Sequence, residues 1–129
     1  SISFAADGTQ QEMAYMSVDK SMGLFNDEHR FADNSGYWIY KIPVPNPYQA
    51  PRLKLNISGQ YQIDVSKDGK LWTTAKSSTG VEAKLDVYVD LKSQFAHYTG
   101  DLYVKLSDAV PADGFGPSLN MFTFIGRSE

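Results

Sequence analysis

The chain has 129 residues, 42% of them hydrophobic and 21% charged, and no cysteine. That composition fits one globular domain and excludes a large multidomain enzyme, while the missing thiols remove disulfides, thiolate zinc sites and cysteine nucleophiles. The 12 basic and 15 acidic residues are intermixed to a net charge of −3, which leaves no basic stripe for a phosphate backbone, so no nucleic acid partner is expected.

Apolar runs are only a few residues long, short of the roughly 20 a membrane helix needs, and the N-terminus lacks a signal peptide's basic start and apolar stretch. A soluble piece with no membrane partner is expected. Because it begins at Ser1, residues 1–129 read as one β-sandwich module excised from a larger protein.

In chain order the predicted elements are strands. Ile2 to Ala5 is a short first candidate, with another near 12–17, and a long loop is expected over 18–36. From residue 37 to 126 apolar residues recur at every second position, the period of a strand with one buried face. Strands are predicted near 37–43, 52–57, 60–66, 71–75, 85–91, 101–107 and 119–125. Leu53, Leu55 and Ile57 alternate with Arg52, Lys54 and Asn56, and Leu102, Val104 and Leu106 alternate with Tyr103 and Lys105.

Ser58-Gly59 and Asp68-Gly69 separate such runs as tight turns, since these residues tolerate positive φ. The prolines between Pro43 and Pro51 make that segment an extended surface connection. Eight or nine short strands define an all-β, antiparallel sandwich or barrel. Reversing direction at each strand brings the long loops 18–36 and 108–117 to one end, away from 44–51, 67–70 and 92–100.

Catalytic motifs are absent. Gly116-Pro117-Ser118-Leu119-Asn120 begins like an esterase elbow but lacks its last glycine and its strand-to-helix setting. Gly114-Phe115-Gly116 lacks the third glycine and the helix of a dinucleotide fingerprint. His29 and His97 fall at opposite ends and cannot share a metal. Asp27, Glu28, Asp33, Asp108 and Asp113 could supply a carboxylate pair for glycoside hydrolysis, though loop acids more often cap turns.

Those acids suit calcium better, because it takes six to eight oxygens from carboxylates, amides and carbonyls. Asp33 and Asn34, with Asp108 and Asp113, are the candidate ligands. For sugar, the resource is aromatic: Phe25, His29, Arg30 and Phe115 lie on the two loops placed together and are the candidate contacts. The alternative for both phenylalanines is to plug the sandwich end. Trp38, Tyr40 and Trp72 are expected in the core. Tyr48, His97 and Tyr98 would form a second surface at the far end.

Several stretches resemble a known pattern. They are Gly8-Thr9 with Glu12 and Tyr15, then His29-Arg30-Phe31-Ala32-Asp33 running into Tyr37-Trp38-Ile39-Tyr40-Lys41-Ile42. Leu102 to Asp108 leads in the same way to Asp113-Gly114-Phe115-Gly116, and Val65-Ser66-Lys67-Asp68-Gly69-Lys70-Leu71-Trp72 is similar to the hairpin of discoidin-like domains. Together they resemble a galactose-binding-like jelly roll, the fold of many carbohydrate-binding modules of bacterial polysaccharide-degrading enzymes.

The resemblance implies a secreted, noncatalytic domain that holds a parent catalytic domain in the same chain on a polysaccharide or oligosaccharide, commonly with structural calcium. It also offers a structural ion pair between Arg30 and Asp33 as a rival to sugar binding. The glutamate that often precedes the last strand is missing here, with Asn120 the nearest candidate in Ser118-Leu119-Asn120-Met121. Two other functions remain open: a packing sandwich without a sugar site, and a small glycan hydrolase or lyase.

Overall fold

The structure is a computed structural model that describes residues 1–81 and 83–127. Its elements are β1 (Ile2–Ala5), α1 (Gln10–Met13), β2 (Met16–Lys20), β3 (Leu24–Phe25), β4 (His29–Phe31), β5 (Tyr37–Val44), β6 (Arg52–Ser58) and β7 (Tyr61–Ser66). β8 (Thr73–Ser78), β9 (Leu85–Asp90), α2 (Lys92–Phe95), β10 (Gly100–Asp108) and β11 (Ser118–Ile125) complete the chain.

All pairings are antiparallel. One sheet of six strands runs β3-β4-β11-β6-β9 with β1 also on β11, and one of five runs β2-β5-β10-β7-β8. The alternation leads to an antiparallel sandwich or barrel and the resemblance to a jelly roll, and a two-sheet jelly-roll sandwich is what forms. No helix among the described residues is long and apolar enough to cross a membrane.

Alternate residues of each central strand meet between the sheets. Trp38, Tyr40 and Ile42 of β5 and Leu102, Val104 and Leu106 of β10 face Leu53, Leu55, Ile57, Leu119 and Phe122, all at most 1% exposed. Phe4 joins the layers: its ring stacks on Phe122 at 5.1 Å and on Tyr15 at 5.2 Å, and meets Tyr40 edge-on at 4.8 Å. Such pairs add about 0.5–1.5 kcal/mol each beyond the area they bury. Trp38 and Tyr40 are core residues, as expected.

Three expectations need correction. The strand near 12–17 is instead a helical turn at Gln10–Met13 followed by β2, and that turn sends Glu12 to the interior. Part of the loop 18–36 is a hairpin, β3–β4, closed by Asn26 and Asp27 at φ 53° and 55° with Glu28 N donating to Phe25 O at 3.0 Å. The loop has three residues, Asn26 to Glu28, and the turn from Phe25 to Glu28 takes positive φ at both central positions, which Asn and Asp tolerate. Finally, Trp72 lies outside the core: it is half-buried, with Lys105 Nζ 5.5 Å from its ring centre.

Pro43 is inside β5, which continues to Val44. β2 reaches only from Tyr37 to Tyr40 on that side, so the missing N–H at Pro43 faces no partner strand.

Candidate functional site

The end of the sandwich that carries Phe115 is built by close backbone contact. A Cβ on Gly116 would lie 2.0 Å from Ala32 O, and one on Gly59 would lie 2.2 Å from Gly116 O. Only glycine fits where these chains cross. Ala32 N donates to Pro117 O at 3.1 Å, Gln60 N to Phe115 O at 2.7 Å and Ala112 N to Asn34 Oδ1 at 3.0 Å. Segments 18–36 and 108–117 thus sit together.

The structure separates the four proposed sugar contacts. Phe25, 55% exposed, pairs with His29 across the β3–β4 hairpin, ring centres 5.4 Å apart, and meets Phe31 edge-on at 6.4 Å. Burial and the nearby Lys84 ammonium hold the His29 pKa below its ordinary value, against the weaker pull of Glu28. The imidazole is then neutral at pH 7 and offers one donor and one acceptor. Lys84 Nζ itself donates to Ser118 O at 3.0 Å and Ser118 Oγ at 3.1 Å, and Ser118 lies opposite Phe31 in the ladder. Phe115, 53% exposed, stands on the loop that follows Asp113. Both phenylalanines are at the surface rather than plugging the end.

Arg30 is not a loop contact. It points inward from β4 and is 3% exposed. Its Nε and Nη2 donate to Glu12 Oε2 and Oε1, both at 2.6 Å, and its Nη1 donates to Asp19 Oδ2 at 2.8 Å and Ser21 Oγ at 3.1 Å. The hydrogen bonds that Arg30 donates to Glu12 raise its pKa further, against burial. The ion pair suggested by Arg30 and Asp33 forms instead with Glu12 and Asp19, because strand alternation turns Arg30 into the sandwich while Asp33 lies beyond the strand end. With every guanidinium nitrogen engaged, Arg30 has nothing to offer a ligand.

Of the expected calcium ligands, Asp33, Asn34 and Asp108 come together. Asp108 is 6% exposed; its Oδ1 accepts Val110 N at 2.9 Å and its Oδ2 accepts Asn34 N at 3.1 Å. Burial raises its pKa, and the neighbouring Asp33 carboxyl adds to the rise while the two N–H donors oppose it. Asp113 Oδ1 accepts Phe115 N at 3.2 Å and caps its own turn. Among the described residues no three acidic or imidazole side chains are grouped to hold a metal. Two carboxylates already engaged with backbone donors do not fit the six to eight oxygens calcium takes. Asn120 donates to Asn56 Oδ1 at 3.2 Å.

At the far end, Tyr98 packs edge-on against Phe95 at 5.2 Å and donates to Asp101 O at 2.7 Å, and Tyr48 packs on Phe124 at 5.9 Å. These rings are half-buried supports.

No family model matches the chain, and no curated protein does. Solved structures do. A CBM35 from Cellvibrio japonicus Abf62 superposes with a TM-score of 0.56 at 11% identity, over 96% of this chain and 94% of that one. The carbohydrate-binding module CBM36, in complex with calcium and xylotriose, gives 0.51 at 17% identity, over 95% and 98%. A family two carbohydrate esterase from Cellvibrio japonicus gives 0.54 at 14% identity, over 97% of this chain and 35% of that one. At such identities the likeness establishes the fold, a jelly roll of the kind carbohydrate-binding modules use.

Proposed function

We propose that the chain is a noncatalytic carbohydrate-binding module that targets an appended, secreted polysaccharide-degrading enzyme to its glycan. The observation that carries this reading is the exposure of two separate rings, each more than half open to solvent: Phe115 on the loop before β11, and Phe25 on the β3–β4 hairpin with the His29 imidazole beside it. A planar ring held on a hairpin can stack on the apolar face of a sugar, while imidazole, hydroxyl and ammonium groups bond its hydroxyls. Whole-length likeness to carbohydrate-binding modules supports the reading, as does the esterase in which the matching part is about a third of the chain. The site is shallow, so affinity for a single sugar is modest and the gain lies in effective concentration at the substrate.

Catalysis is the weaker reading. Asp33, Asp108 and Asp113 each accept a backbone N–H of their own loops, the turn-shaping use of loop acids. Calcium enters the reading through the CBM36 likeness alone.

Affinity electrophoresis of the chain through neutral and acidic polysaccharides, with and without a chelator, tests the proposal. Retardation that is lost on Phe25→Ala or Phe115→Ala supports it. No retardation on any glycan refutes it in favour of a packing sandwich, and turnover of a glycan abolished by Asp33→Asn would establish the enzyme.

A further inference from the structure

At the end opposite Phe115, β6 starts and β9 finishes beside the segment that follows β11, and they leave a cleft of about 300 Å³ bordered by Arg52, Tyr88, Asp90, Lys92 and Arg127. The main chain fixes its walls. The β6–β9 register sets Arg52 opposite Asp90 and Lys54 opposite Tyr88, and Leu91 N donates to Pro51 O at 3.0 Å. Gln49 N donates to Arg127 O at 2.8 Å, tying the segment after β11 to the proline-rich connection.

The charges here run against those of the whole molecule. The chain carries a net charge of −3, yet the cleft sets three cations against Asp90, whose Oδ1 already accepts Lys92 N at 2.8 Å. Arg52, Lys92 and Arg127 enter no ion pair among the described residues. The Arg52 guanidinium carbon lies 5.1 Å from the centre of the Tyr88 ring, and its Nε is buried without an acceptor. Tyr88 is nevertheless 48% exposed. An open aromatic ring beside three cations and a single carboxylate recognises a planar or ringed ligand that carries negative charge.

We infer that this cleft binds an anionic sugar residue, with its carboxylate or sulfate between Arg52, Lys92 and Arg127 and its ring against the exposed part of Tyr88. The inference rests on the carbohydrate-binding reading above and names its substrate class and a second surface. A polymer has somewhere to continue. Outward-facing Arg52, Lys54 and Asn56 lead along β6 into a groove of about 260 Å³ lined by Asn56, Asp86, Met121 and Thr123. At roughly 3.3 Å per residue the path from Arg52 to Asn56 is about 13 Å. The glycan therefore lies along the outer face of the six-stranded sheet.

The test is titration of the chain with sodium polygalacturonate, chondroitin sulfate and neutral arabinoxylan at low and high salt. Tyr88→Ala and the double variant Lys92→Gln/Arg127→Gln are compared with Phe115→Ala, and thermal unfolding confirms that each folds. The expected result is binding to one anionic polymer that weakens at least tenfold in both cleft variants and falls with salt, the polymer bound showing whether carboxylate or sulfate is recognised. Anionic binding unchanged in the cleft variants overturns this site while leaving the module reading intact. Binding to arabinoxylan alone overturns the anionic class, and binding to none of the three removes this inference together with the reading beneath it.

Discussion

Glu12 and Arg30, 18 residues apart, form a two-pronged ion pair with both contacts at 2.6 Å and side chains 0% and 4% exposed. Glu12 Oε1 also accepts Gly8 N at 2.8 Å, and Oε2 accepts the Tyr40 hydroxyl at 2.7 Å. The pair therefore fastens the N-terminal turn, the β3–β4 hairpin and the central strand β5 at one point. Removing one partner of a buried pair leaves the other charge uncompensated, at a cost of about 3–5 kcal/mol. Glu12→Gln is expected at the lower end of that range, because Arg30 keeps Asp19. Replacing both residues by methionine should recover much of the loss, and urea denaturation of the three proteins measures it.

Tyr40 makes a second contribution at the same point. Its ring is fully buried, and burial, with the Glu12 carboxylate beside it, raises its pKa well above the usual value. A hydroxyl bonded to a charged group contributes about 1.5–3 kcal/mol, and Tyr40→Phe should destabilise by that much at pH 7. The pH dependence follows in sign. In the unfolded chain the phenol ionises near pH 10 while the folded chain still holds its proton, so stability falls as pH rises above about 10. Tyr40→Phe should flatten that alkaline limb in denaturation curves taken between pH 8 and 11.

The Asp33–Asp108 contact works in the opposite sense to most surface acids. Because the folded Asp108 pKa is raised by burial and by Asp33, the folded state binds more protons than the unfolded state as pH passes upward from about 4. Stability is lost across that interval and the loss persists at neutrality. Asp33→Asn removes the like charge and supplies an amide donor toward Asp108, so it should stabilise the protein at pH 7, with the gain shrinking below about pH 4. Thermal unfolding of both proteins at pH 7 and pH 3.5 reads the difference. A variant less stable at pH 7 would instead mean that a cation had been balancing the pair.

What the sequence revealed and what it hid follow from the range of the interactions. Strands such as Arg52–Ser58 and Gly100–Asp108 are visible because burial on one face writes itself into alternate positions. The β3–β4 hairpin is too short for a period to show, and its signal was the Asn26-Asp27 pair alone. Arg30 meets Glu12 rather than a ligand because its partners are set by the helical turn that places Glu12, and no local pattern reveals what a charge meets across the sandwich. The aromatic side chains divided along the same line: Trp38 sits on a strand with a clear period and proved buried, whereas Trp72 follows a turn and proved half open. The cationic cleft joins residues 52, 88, 92 and 127, which no linear motif could have grouped.

Gly116 and Phe115 are neighbours with separable roles. A side chain at Gly116 would strike the Ala32 carbonyl and the Asp33 Cα, at 2.0 Å and 3.0 Å from its Cβ. Backbone atoms cannot swing aside, so Gly116→Ala must displace segment 32–34 or the loop carrying Phe115. An expected cost is about 1–3 kcal/mol, the usual range for overpacking. Phe115, more than half exposed, can be truncated to alanine with a change within about 0.5 kcal/mol. If the loop end grips sugar, Gly116→Ala should lower both melting temperature and glycan retardation, and Phe115→Ala should lower retardation alone. Retardation retained in Phe115→Ala but lost in Gly116→Ala would assign binding to the loop's backbone and polar groups rather than to its aromatic ring.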